Sequence, residues 1–456
     1  MTYKPKIMIA TYIPIFNKGM LELLEGILQT FSLLGETEVT IFSFLPSLDI
    51  SRYASKIRLI DIGKDLHIER LFAGSSNSRL LASFLAGFQH FLFALSYKLL
   101  GKNTLLFMKS PIWKEYCTSD ALILSTNEDD CVNGPGRFLQ LSPVYISLLT
   151  KAIRRPTVIY ANSTTKTGNT VSIWRLKSRR LWAFLAGFVL NNASLVTVRD
   201  KETYDYYRNL TRDKVQIHLT GDPGILMDSV DPRMAQRIIT GEKIDRNAGL
   251  LIGADITRRL ILHSFPEYSK QEDRYENGIS EIAKAFDRLC SEQKTIVVFV
   301  PHCIGLYNNN DDRVVAHDIV RKMTHKSNVT IITNEYTPQE LKGIIGQLDI
   351  FVSDRIHALI SALAMNVPCC ILAYQSDRRP YNLIGTDFKQ VRWIFEVDAL
   401  DGDKLFEVIR NLLYSTKKIR ESLPAATKGE KEKALLNGQL LKALLKSVPA
   451  NSRGIN

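Results

Sequence analysis

Short apolar runs alternate with stretches of helical spacing along most of the chain. That rhythm predicts a mostly parallel sheet with crossover helices. In the first half the apolar runs fall at 7–13, 39–44 (VTIFSF), 56–62 (KIRLIDI), 121–125 (ALILS), 157–162 (TVIYAN) and 194–198 (SLVTV). A helix is expected at about 18–34, where apolar residues recur at helical spacing. A second series begins at GLLIGADI (249–256) and continues through 295–300, 329–333, 349–353 and 368–374. Helices are expected at 280–292 and 338–347, and a Lys/Leu-rich helical tail at 403–448.

The two series are separated by a charged stretch, 229–247, without a strong strand pattern. The expected organisation is an N-terminal Rossmann-like domain over 1–228 and a linker over 229–247. A C-terminal Rossmann-like domain follows over 248–400, with helices and tail over 401–456. The fold class is α/β, two doubly wound domains facing a cleft, with C-terminal helices. Ligands in such sheets bind beyond the carboxyl ends of strands, so residues just after strands come first.

The segment SDRIHALISALAMNVP (353–368) stands at such a place. The strand DIFVS ends at Ser353, and a slim helix with Ser361, Ala362 and Ala364 opens near Ile356. Asn366 and Pro368 stop that helix. Arg355 and His357 therefore stand at a strand's carboxyl end and a helix's amino end together. Helix N-termini attract phosphate and carboxylate through their N–H groups and dipole. Arg355 adds a bidentate fork for the same groups, and His357 is able to move a proton near neutral pH. The bland alternative is that Arg355 pairs with Asp354 or another carboxylate and His357 caps nearby backbone.

Composition narrows the classes. With 456 residues, 45% hydrophobic and 23% charged, the chain is long enough for two cores and globular in character. The net charge of +12 favours an anionic partner. The densest basic patches, Arg154-Arg155 and KSRR (177–180), are too short for a nucleic-acid tract. The six cysteines form no CxxC pair, which points to reduced, mostly buried thiols in a cytoplasmic protein. Its opening, MTYKPKIMIATYIP, is expected to be a strand and not a signal peptide. The stretch 80–100 could span a bilayer by length, but Gln89, His90 and Lys98 interrupt it. It is expected to be core on most faces, the alternative being a helix resting on a membrane surface.

Several segments in order resemble the polysaccharide pyruvyl transferase family. DIFVSDRIHALISALAMNVPCCILAY is similar to that family's strand ending in S-x-R-x-H before a small-residue helix. FNKGMLELLEGIL (16–28) resembles its first strand-to-helix turn, LVTVRDKETYDYYRNL (195–210) its V-R-D segment, and TGDPGIL (220–226) its Asp-Pro. VFVPHCIG with NDD (310–312) resembles its strand with a terminal histidine and downstream acids. Two loops depart from the family pattern: NEDDCVNGPGRF (127–138) replaces a Gly-Gly turn, and NSTTKTGN (162–169) replaces Ser-x-Gly-Pro.

The resemblance implies a GT-B-like fold and transfer of the enolpyruvyl carbons of phosphoenolpyruvate to a sugar as a ketal, with release of phosphate. The acceptor would be a cell-surface polysaccharide or its lipid-linked precursor, with peripheral contact at the inner membrane face. No cofactor, metal or nucleic acid is expected. Arg355 and Arg199, each at a strand's carboxyl end, would hold the donor's phosphate and carboxylate, near Ser353. His357 is the expected general acid, and His302 a second proton carrier. Asn17 and Gly19 would line the first turn, the alternative being an ordinary helix cap. For Arg199 the alternative is a salt bridge with Asp200 or Glu202. For Asp311 and Asp312 a solvated helix start is expected. Two rival functions remain: a nucleotide-sugar glycosyltransferase of the same architecture, and a non-catalytic module binding anionic glycans or a membrane surface.

Overall fold

The computed structural model describes residues 3–13, 16–43, 57–68, 71, 76–125, 136–163, 178–305, 310–375 and 377–448. The variant loops at 127–138 and 162–169, Cys131 and Lys177 lie wholly or mostly outside the described residues. The chain forms two compact units: residues 1–13, 28–221 and 433–456 make the first, and 14–27 with 222–432 the second.

Among the described residues the first unit is built on seven strands: β1 (Lys6–Tyr12), β2 (Glu38–Ser43), β3 (Ile57–Asp61), β4 (Ala121–Ser125), β5 (Thr157–Asn162), β6 (Leu195–Val198) and β7 (Ile217–Leu219). Their order across the sheet is β3-β2-β1-β4-β5-β6-β7, and every pairing is parallel. The second unit has six: β8 (Leu250–Asp255), β9 (Thr295–Phe299), β10 (Val329–Ile331), β11 (Ile350–Ser353), β12 (Cys369–Ala373) and β13 (Ile394–Glu396). They run β10-β9-β8-β11-β12-β13, again all parallel. Both sheets wind outward in two directions from their first strand, so each has a switch point, at β1/β4 and at β8/β11. Continuous apolar strands fit this: β5 and β12 are buried at every position. The two strands absent from the sequence reading, β7 and β13, are three-residue edges, too short to show a period.

Helices of eight residues or more are α1 (Lys18–Phe31), α2 (Ser76–Leu100), α3 (Pro111–Thr118), α4 (Gly136–Ile153), α5 (Ser178–Asn192), α6 (Lys201–Thr211), α7 (Pro232–Gly241), α8 (Gln271–Glu292), α9 (Asp312–Lys322), α10 (Pro338–Ile345), α11 (Ile356–Ala364) and α12 (Gly402–Ser447). Their starts are written locally. Asp200 caps α6, Asp231 caps α7 with Pro232 behind it, and Thr337 with Glu340 closes a capping box on α10.

Two expectations need correction. The stretch 229–247 is no linker. Much of it is helix α7, whose Arg233 and Arg237 are exposed and whose Ala235, Ile238 and Ile239 are buried in the second unit. The α1 segment up to Ile27 also belongs to that unit, although it follows the first strand in sequence. Gly26 makes this possible, because a Cβ there would lie 1.8 Å from the Pro223 carbonyl oxygen. The helical tail expected at 403–448 is present as one continuous helix, α12, that contains Pro424.

The helix at 80–100 is not core on most faces. In α2 only one side is buried, through Ala82, Ser83, Ala86, His90 and Phe93. His90 fixes that side: its Nδ1 lies 2.7 Å from the Ala86 carbonyl and its Nε2 2.9 Å from the Tyr116 hydroxyl. Burial pushes its pKa down to about 4, so the ring is neutral. Phe93 stacks on Trp113 of α3 with centroids 4.6 Å apart.

Candidate functional site

The carboxyl ends of β8 and β11 meet at the switch point of the second sheet, with Ser353 in register with Asp255. Chemistry-bearing side chains gather there. Ser353 is wholly buried, and its Oγ accepts the Arg355 N–H at 3.0 Å. Its role is thus to shape the turn that presents Arg355. Asp354 accepts from the Thr257 N–H at 2.9 Å and the Thr257 hydroxyl at 2.6 Å, which ties the two strand ends together.

Arg355 does not pair with its neighbour Asp354. Its Nε and Nη2 donate to the two oxygens of Asp312 at 2.7 and 2.5 Å, and its Nε lies 3.6 Å from Asp255. Two of the five guanidinium protons are committed to this fork, leaving the Nη1 side for another anion. Asp312, expected as a solvated helix start, is 5% exposed and also accepts the Cys303 N–H at 2.7 Å. Asp311 does serve as the cap of α9. Burial pushes the carboxyls of Asp255 and Asp312 each up to about 7, against the pull of Arg355. The cluster therefore carries less negative charge near neutrality than its three aspartates would suggest.

His302 stands three residues beyond the end of β9. It is 2% exposed, with Nδ1 2.9 Å from the Val300 carbonyl and 3.0 Å from Asp255. Burial pushes its pKa down to about 4. Its own carbonyl accepts the Lys18 N–H at 2.7 Å, and Asn17 forms an antiparallel bridge with Cys303. The chain after β9 thus holds the first turn of α1. There Asn17 acts as a helix cap, its carbonyl accepting from Met20 and Leu21. Lys18, buried, extends to Glu335 at 2.6 Å.

On the other side of that first turn sits His357, in the opening turn of α11. A Cβ added to Gly19 would stand 3.2 Å from both Cβ and Nδ1 of His357, so the missing side chain is what admits the ring. Gly224 does the same beneath it, at 3.2 Å from Cδ2. Asp222 lies 3.6 Å from His357 Nε2, and its other oxygen accepts the Gly224 N–H at 2.8 Å. Glu22, one turn along α1, accepts from the Ser361 hydroxyl of α11 at 2.8 Å. Burial raises the Glu22 carboxyl, opposed by the Lys342 ammonium, and burial lowers that ammonium in turn. Lys342 donates to the Met227 carbonyl at 2.6 Å.

The second unit therefore brings together His302, Arg355, His357, Ser353, Asn17 and Gly19, all around the amino ends of α1 and α11. Arg199 belongs to the first unit, buried at the end of β6, where its N–H donates to the Asn162 carbonyl at 3.1 Å. Asp200 beside it is engaged as the α6 cap. Sequence reasoning did not single out Lys18, Glu22, Asp222 and Asp255, nor Asp312 as the partner of Arg355. Asp255 was findable, because it ends a strand in the same way as the residues that were chosen. Asp312 was not, since it lies 43 positions from Arg355.

The raised acids make a stability prediction. A carboxyl held near pKa 7 when folded and near 4 when unfolded keeps its proton longer in the native state, so its contribution weakens as pH rises from about 4 to about 7. Asp255→Asn removes that titration. Its stability relative to the parent protein should rise steadily across that range in urea melts. A pH-independent difference would show that Asp255 is ionised throughout.

A family model described as polysaccharide pyruvyl transferase matches residues 17–376, which takes in every residue of this cluster from Asn17 to His357. The chain belongs to the polysaccharide pyruvyl transferase family. No curated protein sequence matches it. Solved structures give the fold of this family member. UDP-GlcNAc 2-epimerase from Neisseria meningitidis, bound to UDP-GlcNAc, is 13% identical with a TM-score of 0.54, covering 98% of this chain and 100% of its own. Arabidopsis thaliana UGT89C1 complexed with quercetin is 12% identical with a TM-score of 0.53, covering 97% and 100%. Anabaena Alr3699/HepE in complex with UDP and glucose is 10% identical with a TM-score of 0.52, covering 98% and 100%. At such identity the likeness concerns architecture: this pyruvyl transferase family member has the GT-B fold.

Proposed function

We propose that the protein transfers the enolpyruvyl carbons of phosphoenolpyruvate to two hydroxyls of a glycan sugar, forming a ketal and releasing phosphate. The observation that carries this reading is the placement of His357 beside Gly19 and Asp222, next to the Arg355 turn, within the span matched to the family. Arg355 offers its remaining N–H groups to a donor anion, and the α11 amino end adds its dipole.

His357 protonates the methylene carbon, which leaves the ether carbon electrophilic. One sugar hydroxyl adds there, the carbon–phosphate oxygen bond breaks, and the second hydroxyl adds. Of the two hydroxyl protons, one replaces that given to the methyl carbon and the other leaves with phosphate, so the exchange balances. Asp222, 3.6 Å from Nε2, orients the imidazole. His302, buried and neutral, is assigned a positioning role: it holds Asp255 and the first turn of α1.

The neighbours bound to UDP or UDP-GlcNAc favour a second reading, a nucleotide-sugar transferase. Ligand-induced melting shifts separate the two. Phosphoenolpyruvate at a hundred times its dissociation constant should add about 2.7 kcal/mol of stability, and UDP none. Phosphate should then appear on mixing with phosphoenolpyruvate and an acceptor glycan. A shift with UDP alone would overturn the proposal in favour of the second reading.

A further inference from the structure

The face of α2 opposite His90 is apolar and open. Leu81, Phe84, Leu85, Phe88, Phe91, Leu92, Leu95 and Leu99 are all exposed, Phe84 at 62% and Leu99 at 75%. At about 100° per residue these positions fall within a sector of about 120°, and from 81 to 99 the stripe runs about 27 Å. Leu106 and Phe107, just beyond, are also exposed. Exposed apolar residues scattered singly need no explanation, but a contiguous stripe does.

The charge along the segment that carries the stripe has one sign. Residues 76–114 contain Arg79, Lys98, Lys102, Lys109 and Lys114 and no acidic residue. All four lysines are exposed. Lys98 sits at the margin of the stripe, where its stem can lie along apolar surface and its ammonium reach outward. At the C-terminal end of α2 a pocket of about 320 Å³ is lined by Ser96, Leu100, Thr104, Phe107 and Met108, mostly apolar and wide enough for part of an acyl chain. No helix among the described residues is long and apolar enough to cross a membrane. An apolar face on a segment whose own charges are all basic, on a helix whose other side is pinned into the core, has the composition of an interfacial helix.

We propose that α2 docks the protein on an anionic phospholipid surface, lying in the interface plane with Phe84, Phe88, Phe91 and Leu95 buried among the acyl chains and Lys98, Lys102 and Lys109 against the headgroups. Lysine-rich borders match a negative surface, whereas a second copy of the same face would set lysines against lysines. The proposal is independent of the reaction at His357.

The test is flotation of the full chain with vesicles of phosphatidylcholine alone and of phosphatidylcholine mixed with phosphatidylglycerol. Binding should need the anionic lipid and weaken with added salt. The double variant Phe88→Glu/Phe91→Glu should lose binding by about tenfold or more, with its melting temperature unchanged because both side chains are already exposed. Lys98→Glu/Lys102→Glu, which touches no apolar residue, should weaken it by about tenfold and spare any binding to uncharged vesicles. The idea is overturned if the parent protein floats with neither vesicle, or if both variants bind as the parent does. It is equally overturned if the parent is a dimer that Phe88→Glu/Phe91→Glu converts to monomer while vesicles capture neither, since the face then belongs to a second copy.

Discussion

Replacing His357 by glutamine should lower turnover of phosphoenolpyruvate by about a hundredfold to ten-thousandfold, the usual contribution of a positioned acid–base group. Glutamine fills similar space and keeps a hydrogen-bonding end, so the Gly19 and Gly224 contacts that seat the ring should persist. Donor binding, followed by the melting shift, should change little. The neighbouring Asp222→Asn variant isolates orientation from proton transfer. Its amide oxygen can still receive the Gly224 N–H, now 2.8 Å away, but the negative charge 3.6 Å from Nε2 is gone. The turnover number should therefore fall while KM for phosphoenolpyruvate holds, a split that a merely structural aspartate would not produce. Turnover by His357→Gln within a few-fold of the parent would remove the histidine from the mechanism.

Removing the Arg355 side chain should damage both stability and catalysis, and the two losses can be pulled apart. Arg355 offsets the burial of Asp312, at 2.7 and 2.5 Å, and of Asp255 at 3.6 Å. Taking away one partner of such a buried pair typically costs about 3–5 kcal/mol, because the remaining carboxylate is stranded. Loss of one preorganised contact to an anionic transition state costs about a hundredfold or more in rate. Arg355→Met should show both. Arg355→Met/Asp312→Asn removes the stranded charge, and should recover much of the stability while the rate stays low. Arg355→Lys keeps the charge but not the fork, so it should fall between. If the double variant regained full turnover, Arg355 would be a structural ion-pair member and the donor site would have to lie elsewhere.

How far the site was readable in advance follows from the range of each interaction. The corner at Ser353, Arg355 and His357 depends on a strand end and a helix start adjacent in sequence, and both were legible. So were the positions of Gly19 in a strand-to-helix turn and of His302 beyond β9. Legibility of place did not extend to role. His302 sits where a catalytic group could sit, and its 2% exposure and its Nδ1 contacts with the Val300 carbonyl and with Asp255 at 3.0 Å are what the sequence did not show. Asn17 likewise proved to be a helix cap. Arg355, expected to offer a fork to a ligand anion, lies among three buried aspartates, Asp255, Asp312 and Asp354, which no local pattern announces. The linker expected at 229–247 failed for a different reason: α7 is a short helix, and the charged residues that flank it, Asp231, Glu242, Lys243, Asp245 and Arg246, dominate the composition of the stretch.

From its residue pattern alone the chain determines two parallel, doubly wound sheets, because period and chain-local turn chemistry are short-range properties that the backbone must obey. It also determines the corner at 353–357, and, through motifs in order, the family. Tertiary structure decided the rest: that the opening of α1 joins the second unit, that Asp312 and not Asp354 holds Arg355, that Asp222 stands by His357, and that α2 turns its aromatic side outward. Each of these rests on contacts between residues far apart in sequence, or on which face of a helix finds a neighbour. Such pairings depend on the packed shape of the whole unit, and a linear pattern carries no record of them until the chain has folded.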